Sequence, residues 1–179
     1  SGSQRAVIIM IRVGNAPCSW GNVEWEDKSG SALTYTRMLN ELAEAGYSGT
    51  ELGDWGFMPT DPAKLRAELT GRSLTMTGAF VPVNFRLRER HAEGQALALK
   101  TARLIAAVGD PSTPPFLVLA DDSPDVPARM ANAGRVTPAI GLSDAEWAVY
   151  AEGVNAVARA VNRETGLRCV FHHHTGGYI

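Results

Sequence analysis

Cys169-Val170-Phe171-His172-His173-His174-Thr175-Gly176-Gly177-Tyr178-Ile179 is the stretch that decides the fold. An apolar run passes into three histidines and then two glycines. A buried parallel strand reads this way when it ends at the rim of an active site. The nearest comparable run upstream is Phe116-Leu117-Val118-Leu119-Ala120, closed by Asp121 and Asp122. It is continuously apolar, as a strand covered on both faces should be. Between these two strands, Ser143-Asp144-Ala145-Glu146 carries a capping-box signature. Trp147, Tyr150, Ala151, Val154, Val157, Ala158 and Val161 follow at helical spacing until Gly166. Strand, polar rim, helix, strand is the unit of a parallel α/β sheet.

The same unit repeats back to the N-terminus. Ile8 to Val13 reads as the first strand and runs into the loop Gly14-Asn15-Ala16-Pro17-Cys18-Ser19-Trp20-Gly21. Thr34 to Ala45 reads as a helix with Tyr35, Met38, Leu39, Leu42 and Ala45 on one face, stopped by Gly46. Gly49 to Gly53 is a short second strand. Asp61-Pro62 opens the next helix, with Asp as N-cap and Pro at the first helical position, and the helix runs to Gly71. Leu74 to Val83 is the third strand, and Glu89 to Val108 a long helix ended by Gly109. Residues 122–142, rich in Pro, Gly, Asn and Asp, read as a long loop after strand four. The expectation is therefore α/β, with five parallel strands alternating with four helices.

Two architectures fit that alternation. A doubly wound open sheet is one. However, Gly14-Asn15-Ala16-Pro17-Cys18 is neither G-x-G-x-x-G nor a P-loop. The other is a (β/α)8 TIM barrel, of which this would be the first five strands and four helices. Polar residues gather after every strand: Asn15 and Trp20, Glu51 and Asp54, Asn84 and Arg86, Asp121 and Asp122, His172 to His174. One polar cluster per strand end is the pattern of a barrel mouth. A complete barrel takes roughly 250 residues. Residues 6–179 are thus expected to be the N-terminal five-eighths of a single domain. Ser1-Gly2-Ser3 reads as an expression scar and residues 1–5 as a disordered start.

Composition narrows the function classes. The 179 residues are 45% hydrophobic and 20% charged, as in a soluble domain with a core. A net charge of -2 offers no basic face for nucleic acid or an anionic membrane. The two cysteines, Cys18 and Cys169, lie far apart inside apolar stretches and read as small apolar residues in a reducing cytoplasm. The apolar run Val7 to Ile11 is too short to cross a bilayer. The expected partner is a small-molecule polyol or sugar, with no nucleic acid, no membrane and a possible homo-oligomer.

Three motifs carry a resemblance. Gly14-Asn15-Ala16-Pro17 with Trp20-Gly21, Ala45-Gly46-Tyr47-Ser48-Gly49-Thr50-Glu51-Leu52-Gly53, and Phe171-His172-His173-His174-Thr175-Gly176 resemble the inosose dehydratase branch of the xylose isomerase-like TIM barrels. That superfamily also holds sugar phosphate isomerases/epimerases and endonuclease IV-type hydrolases. The resemblance implies metal-dependent enediolate chemistry on a keto-polyol. It implies a divalent metal (Mn, Co or Zn) at the C-terminal mouth, held by residues of strand five and of later strands. By position His172 matches the strand-five ligand. His174 matches the other inward residue of that motif, and the remaining ligands have no counterpart in these residues.

The candidate site residues can also be weighed on their own chemistry. Alternate residues of a strand share a face, so His172 and His174 point with Val170, while Phe171 and His173 point away. Neutral imidazole suits borderline divalent metals; the alternative is a pair of polar rim residues bonded to carboxylates. Glu51 at the end of strand two can act as a general base, alongside His174; otherwise it bonds helix N-terminal amides. Gly53 would let a substrate approach the backbone. Asn15 and Trp20 either bind substrate or serve as an Asx turn and a core residue. Asn84 and Arg86 are substrate-binding candidates, Arg86 for a phosphate or carboxylate. A solvated helix start, with Arg88 and Arg90, is the competing reading. Asp121 or Asp122 could support a ligand histidine or cap a turn. An alternative also fits: a catalytically incomplete barrel fragment, inactive on its own, or a non-catalytic binding module whose open strand edges invite association.

Overall fold

A computed structural model describes residues 11–20, 33–122, 126–135, 137–174 and 176–178. The elements are β1 (Gly14–Asn15), α1 (Tyr35–Glu44), β2 (Gly49–Glu51), α2 (Pro62–Thr70) and β3 (Thr75–Val83). They continue with α3 (His91–Val108), β4 (Phe116–Asp121), α4 (Pro127–Ala131), α5 (Asp144–Thr165) and β5 (Arg168–His172). Three helix starts carry side-chain caps. The side chains of Thr34 and Asp61 accept from the backbone N–H groups of Arg37 and Lys64. Ser143 and Glu146 close a reciprocal capping box.

Two expectations need correction. Among the described residues the first strand is Gly14–Asn15, and residues 11–13 of the expected Ile8 to Val13 strand precede it. Residues 8–10 lie outside the described residues, as does the 1–5 start, and Ile11 is 87% exposed. The apolar run suggested a strand, but the pairing is set by neighbours: Ser48 N–H donates to the Val13 carbonyl at 2.8 Å, and Gly14 and Asn15 then pair with Gly49 and Thr50. Second, the 122–142 stretch is not all loop. It contains α4, a helix that the Pro- and Asn-rich composition hides, and a 3-10 turn at Pro138–Ile140. On the predicted helix faces, Met38, Leu39, Leu42, Tyr150, Val157 and Val161 are buried, whereas Ala45 and Ala151 are exposed.

The strands form one parallel sheet in the order β1-β2-β3-β4-β5. A doubly wound sheet must reverse its strand order to place helices on both faces. Here the order never reverses, and right-handed crossovers then put every helix on the same face. That is the winding of a barrel wall, and it rules out the open doubly wound alternative for these residues.

Register separates the two faces. Ala79, Leu117 and Cys169 form one row, and Val81, Leu119 and Phe171 the next. These rows face the helices, where Leu117 and Leu119 are essentially inaccessible. Burying such a leucine contributes about 1.5–3 kcal/mol. α3 packs on β3 and on α5, and α5 covers β5. The alternate rows, Phe80-Val118-Val170 and Pro82-Ala120-His172, face the other way. On that concave side the C-terminal strand ends converge.

Candidate active site

β2 ends in Glu51 because the sheet changes register there. Thr50 pairs with Met76, but Glu51 pairs with Gly78, leaving a bulge. Thr50 and Met76 are both buried in the core. The bulge turns Glu51 out of that core towards the concave side. There it lines a cavity of about 330 Å³ together with His172 and His174 from the end of β5. Phe80 and Val118 make the apolar floor, and Ala16, Pro17, Cys18 and Gly53 make the wall. The volume is at the low end of the roughly 300–1,000 Å³ of small-molecule pockets.

Gly53 is required by its geometry. Its φ is +72°, and a Cβ there would lie 2.8 Å from Pro17 Cγ. Any side chain would force apart the β1 and β2 loops that build the wall.

The electrostatics are uneven. Burial raises the Glu51 carboxyl above the usual glutamate range, and His172 opposes that shift by its charge. Among the described residues no hydrogen bond reaches that carboxylate, so the helix-amide alternative is not what the fold shows. The Phe80 ring meets His172 edge-on at 6.1 Å. His174 lies tilted at 6.0 Å from His172, and His173 stacks on it at 6.1 Å. His172, His173 and His174 are all exposed. His172 and His174 line the cavity together and Phe171 packs on Tyr150, as strand alternation predicts, but His173, expected beside Phe171, lies past the end of β5 and stacks on His172.

The remaining sequence candidates lie elsewhere. Asn15 has the turn role: its Oδ1 accepts from Ala16 N–H and Ser19 Oγ–H, both at 2.8 Å, and its Nδ2 donates to Tyr47 Oη at 3.4 Å. Trp20 donates from Nε1 to Glu41 Oε2 at 2.6 Å and packs on the core, not on the cavity. Arg86 lies by Glu146, whose carboxyl is kept below its usual range first by the Ser143 hydrogen bonds and also by that guanidinium. Asn84 and Arg86 do not line the cavity. Asp121 faces the Tyr150 hydroxyl, whose pKa is raised by burial and then by that carboxylate. Asp122 N–H donates to the Val83 carbonyl. Asp54 is exposed, its carbonyl closing a turn with Phe57. Burial raises the Cys169 thiol to about 11, which leaves it inert.

Phe80 and Val118 were not singled out as site residues, although period-2 alternation through β3 and β4 puts them in register with Val170. The described residues do not by themselves fit a metal centre: no three His, Cys, Asp or Glu side chains among them come together as one. Glu51, His172 and His174 bring one carboxylate and two imidazoles to the same cavity, and His172 could serve as one metal ligand only with others supplied from elsewhere. No helix among the described residues is long and apolar enough to cross a membrane.

Comparisons with known proteins bear on the fold and its family. No family model matches the chain. It is 31% identical over 166 residues to the inosose dehydratase of Salmonella typhimurium strain LT2, covering 93% of this chain and 52% of that protein. It is 30% identical over 171 residues to that of Geobacillus kaustophilus, covering 94% and 52%. The chain thus spans about half the length of the curated relatives it matches. Among solved structures, 3-keto-D-glucoside 4-epimerase from E. coli superposes with a TM-score of 0.59 at 14% identity, over 90% of this chain and 56% of that one. A xylose isomerase domain protein from Alicyclobacillus acidocaldarius gives 0.57 at 14%, over 89% and 49%.

Proposed function

We propose that this chain, which belongs to the xylose isomerase-like superfamily on its inosose dehydratase branch, supplies the first five strands of a barrel acting as a polyol or sugar lyase or isomerase. The observation that carries this reading is the convergence of Glu51, His172 and His174 on one cavity at the C-terminal strand ends. The proposed substrate is a keto-polyol of the inosose type.

Glu51 would take the proton from the carbon α to the ketone. Its raised pKa suits it to hold that proton, since burial favours the neutral carboxyl. The C–H electron pair moves into the new C=C bond and the carbonyl becomes an enediolate. For dehydration, the enediolate re-forms the carbonyl and expels the β-hydroxyl. His174 delivers a proton to that leaving oxygen, and water departs. For isomerisation or epimerisation, the proton returns from Glu51 or His174 to a different carbon or face. Phe80 and Val118 exclude water from the carbon skeleton. The divalent metal (Mn, Co or Zn) that the branch implies would supply Lewis-acid polarisation of the carbonyl when bound. His172 is its proposed ligand here, with the others outside the described residues.

A second reading is a non-catalytic association module. Val170, 42% exposed on the concave face of β5, favours it, because an apolar side chain there calls for a cover. One experiment separates the two. The full chain, with and without added Mn, is incubated with inosose and formation of the dehydrated diketone is followed by absorbance. Turnover that Glu51→Gln abolishes supports the enzyme reading. No turnover, with a dimer or larger species by light scattering, supports the association module.

A further inference from the structure

The side chains of His172 and His174 are exposed. Their positions depend on the backbone that carries them. What anchors that backbone is a helix from a different loop. Arg129 of α4 is a charged residue only 2% exposed. Its Nε donates to the Gly176 carbonyl at 3.4 Å and its Nη1 to the Ile140 carbonyl at 3.3 Å. The guanidinium lies 4.4 Å over the Tyr178 ring. A planar fork on two carbonyls and an aromatic face is a geometry that Arg fills and Lys does not.

The turn under this fork has little room to move. Gly177 N–H donates to the His174 carbonyl at 2.9 Å, tying the turn directly to the histidine. Gly176 and Gly177 are both buried. A Cβ on Gly176 would lie 3.1 Å from Met130 Sδ of α4, and one on Gly177 would lie 3.3 Å from Asp121 Cβ at the end of β4. Tyr178 then meets Tyr150 of α5 edge-on at 6.5 Å. Residues Gly176 to Tyr178 are clamped between α4 and the end of β4.

We propose that Arg129 is a positioning residue, through which α4 clasps the Gly176–Tyr178 turn and sets the placement of His172 and His174 over the cavity. The proposal rests on the reading that these histidines work in that cavity. Arg129 itself lies outside the cavity lining, so it acts through the turn and not on substrate.

The test uses the full chain as wild type, Arg129→Met and Arg129→Lys. Three readouts are taken: hydrogen exchange at the Gly177 amide, the ring carbon–proton NMR signals of His172 and His174, and kcat and KM on inosose. Arg129→Met is expected to speed Gly177 exchange at least tenfold and to shift both ring signals, with exchange in α3 unchanged. It should lower kcat about tenfold or more, with KM within about threefold. Arg129→Lys should fall between Met and wild type on every readout. Unchanged exchange and ring signals in Arg129→Met would overturn the proposal, whatever happens to kcat. If Arg129→Met does not fold, Tyr178→Leu removes the aromatic face alone and should produce the same changes in smaller measure; no change there also overturns it. If the wild type turns over no inosose while exchange and ring signals respond as described, the clasp stands and the proposed function fails.

Discussion

The two ends of the sheet treat a carboxylate in opposite ways. At the N-terminal end, beside the start of β4, Asp110 accepts from Ser112 N–H at 2.9 Å and from Ser112 Oγ–H at 2.7 Å. It also accepts from Thr113 Oγ1–H, with Arg12 at 3.7 Å. Those hydrogen bonds, led by Ser112, hold its pKa below the usual aspartate range. At the C-terminal end Glu51 is partly buried, opposed only by His172, and its pKa is raised. One acid is committed to stabilising a turn. The other is kept where its proton can move. A parallel barrel wall concentrates chemistry at one end because its C-terminal strand ends carry the long loops, while the other end is free to optimise stability.

That contrast can be broken by substitution. The largest effect is expected from Glu51→Gln, which removes the base and should cost turnover of the proposed substrate roughly 10²–10⁴-fold. Gly53→Ala should come next. The methyl group both occupies a left-handed conformation and meets Pro17, for about 1–2 kcal/mol of stability read as a lowered unfolding midpoint. Ser143→Ala removes the capping box of α5 and should cost about 1 kcal/mol, with the cavity intact. Asp110→Asn should give the smallest change, a slight fall in Tm near neutral pH.

The two acids also predict opposite pH dependences. Glu51 binds its proton more tightly folded than unfolded, so it destabilises the fold as pH rises from the ordinary glutamate range through the raised folded value. Glu51→Gln should therefore raise Tm at pH 7–8 and lose that advantage in acid. The stability due to Asp110 is present above the ordinary aspartate range and disappears as pH falls through its lowered folded value. Asp110→Asn should be less stable than wild type at pH 7, with the gap closing in acid. Thermal melts of both variants across pH 3–8 check the pair; differences of the same sign would break the contrast.

Much of this was legible in the residues. Apolar runs at Phe116 and Cys169, the caps Asp61 and Ser143, and the helical spacing of Met38 to Leu42 mark elements that local physics already favours. Strand alternation alone put His172 and His174 on one face. Gly14 and Asn15 read as loop because their pairing depends on Ser48 and the segment after it, not on an apolar run of their own. α4 was hidden because its helix depends on tertiary contacts of Arg129 and not on composition. Asn15 and Trp20 could not be assigned from spacing, since either can face a pocket or a local partner; Ala16, Ser19 and Glu41 decide the matter. Phe80 and Val118 resemble core residues in sequence because the inner wall of a barrel is as apolar as its outer one.

The central claim is that Glu51 moves a substrate proton. It is tested most directly by incubating the full chain with inosose in D2O and following the proton α to the ketone by NMR. Enzyme-dependent replacement of that proton by deuterium, or its loss with water, that disappears in Glu51→Gln is the predicted result. Exchange that proceeds equally in wild type and Glu51→Gln, or that wild type does not accelerate, would contradict it.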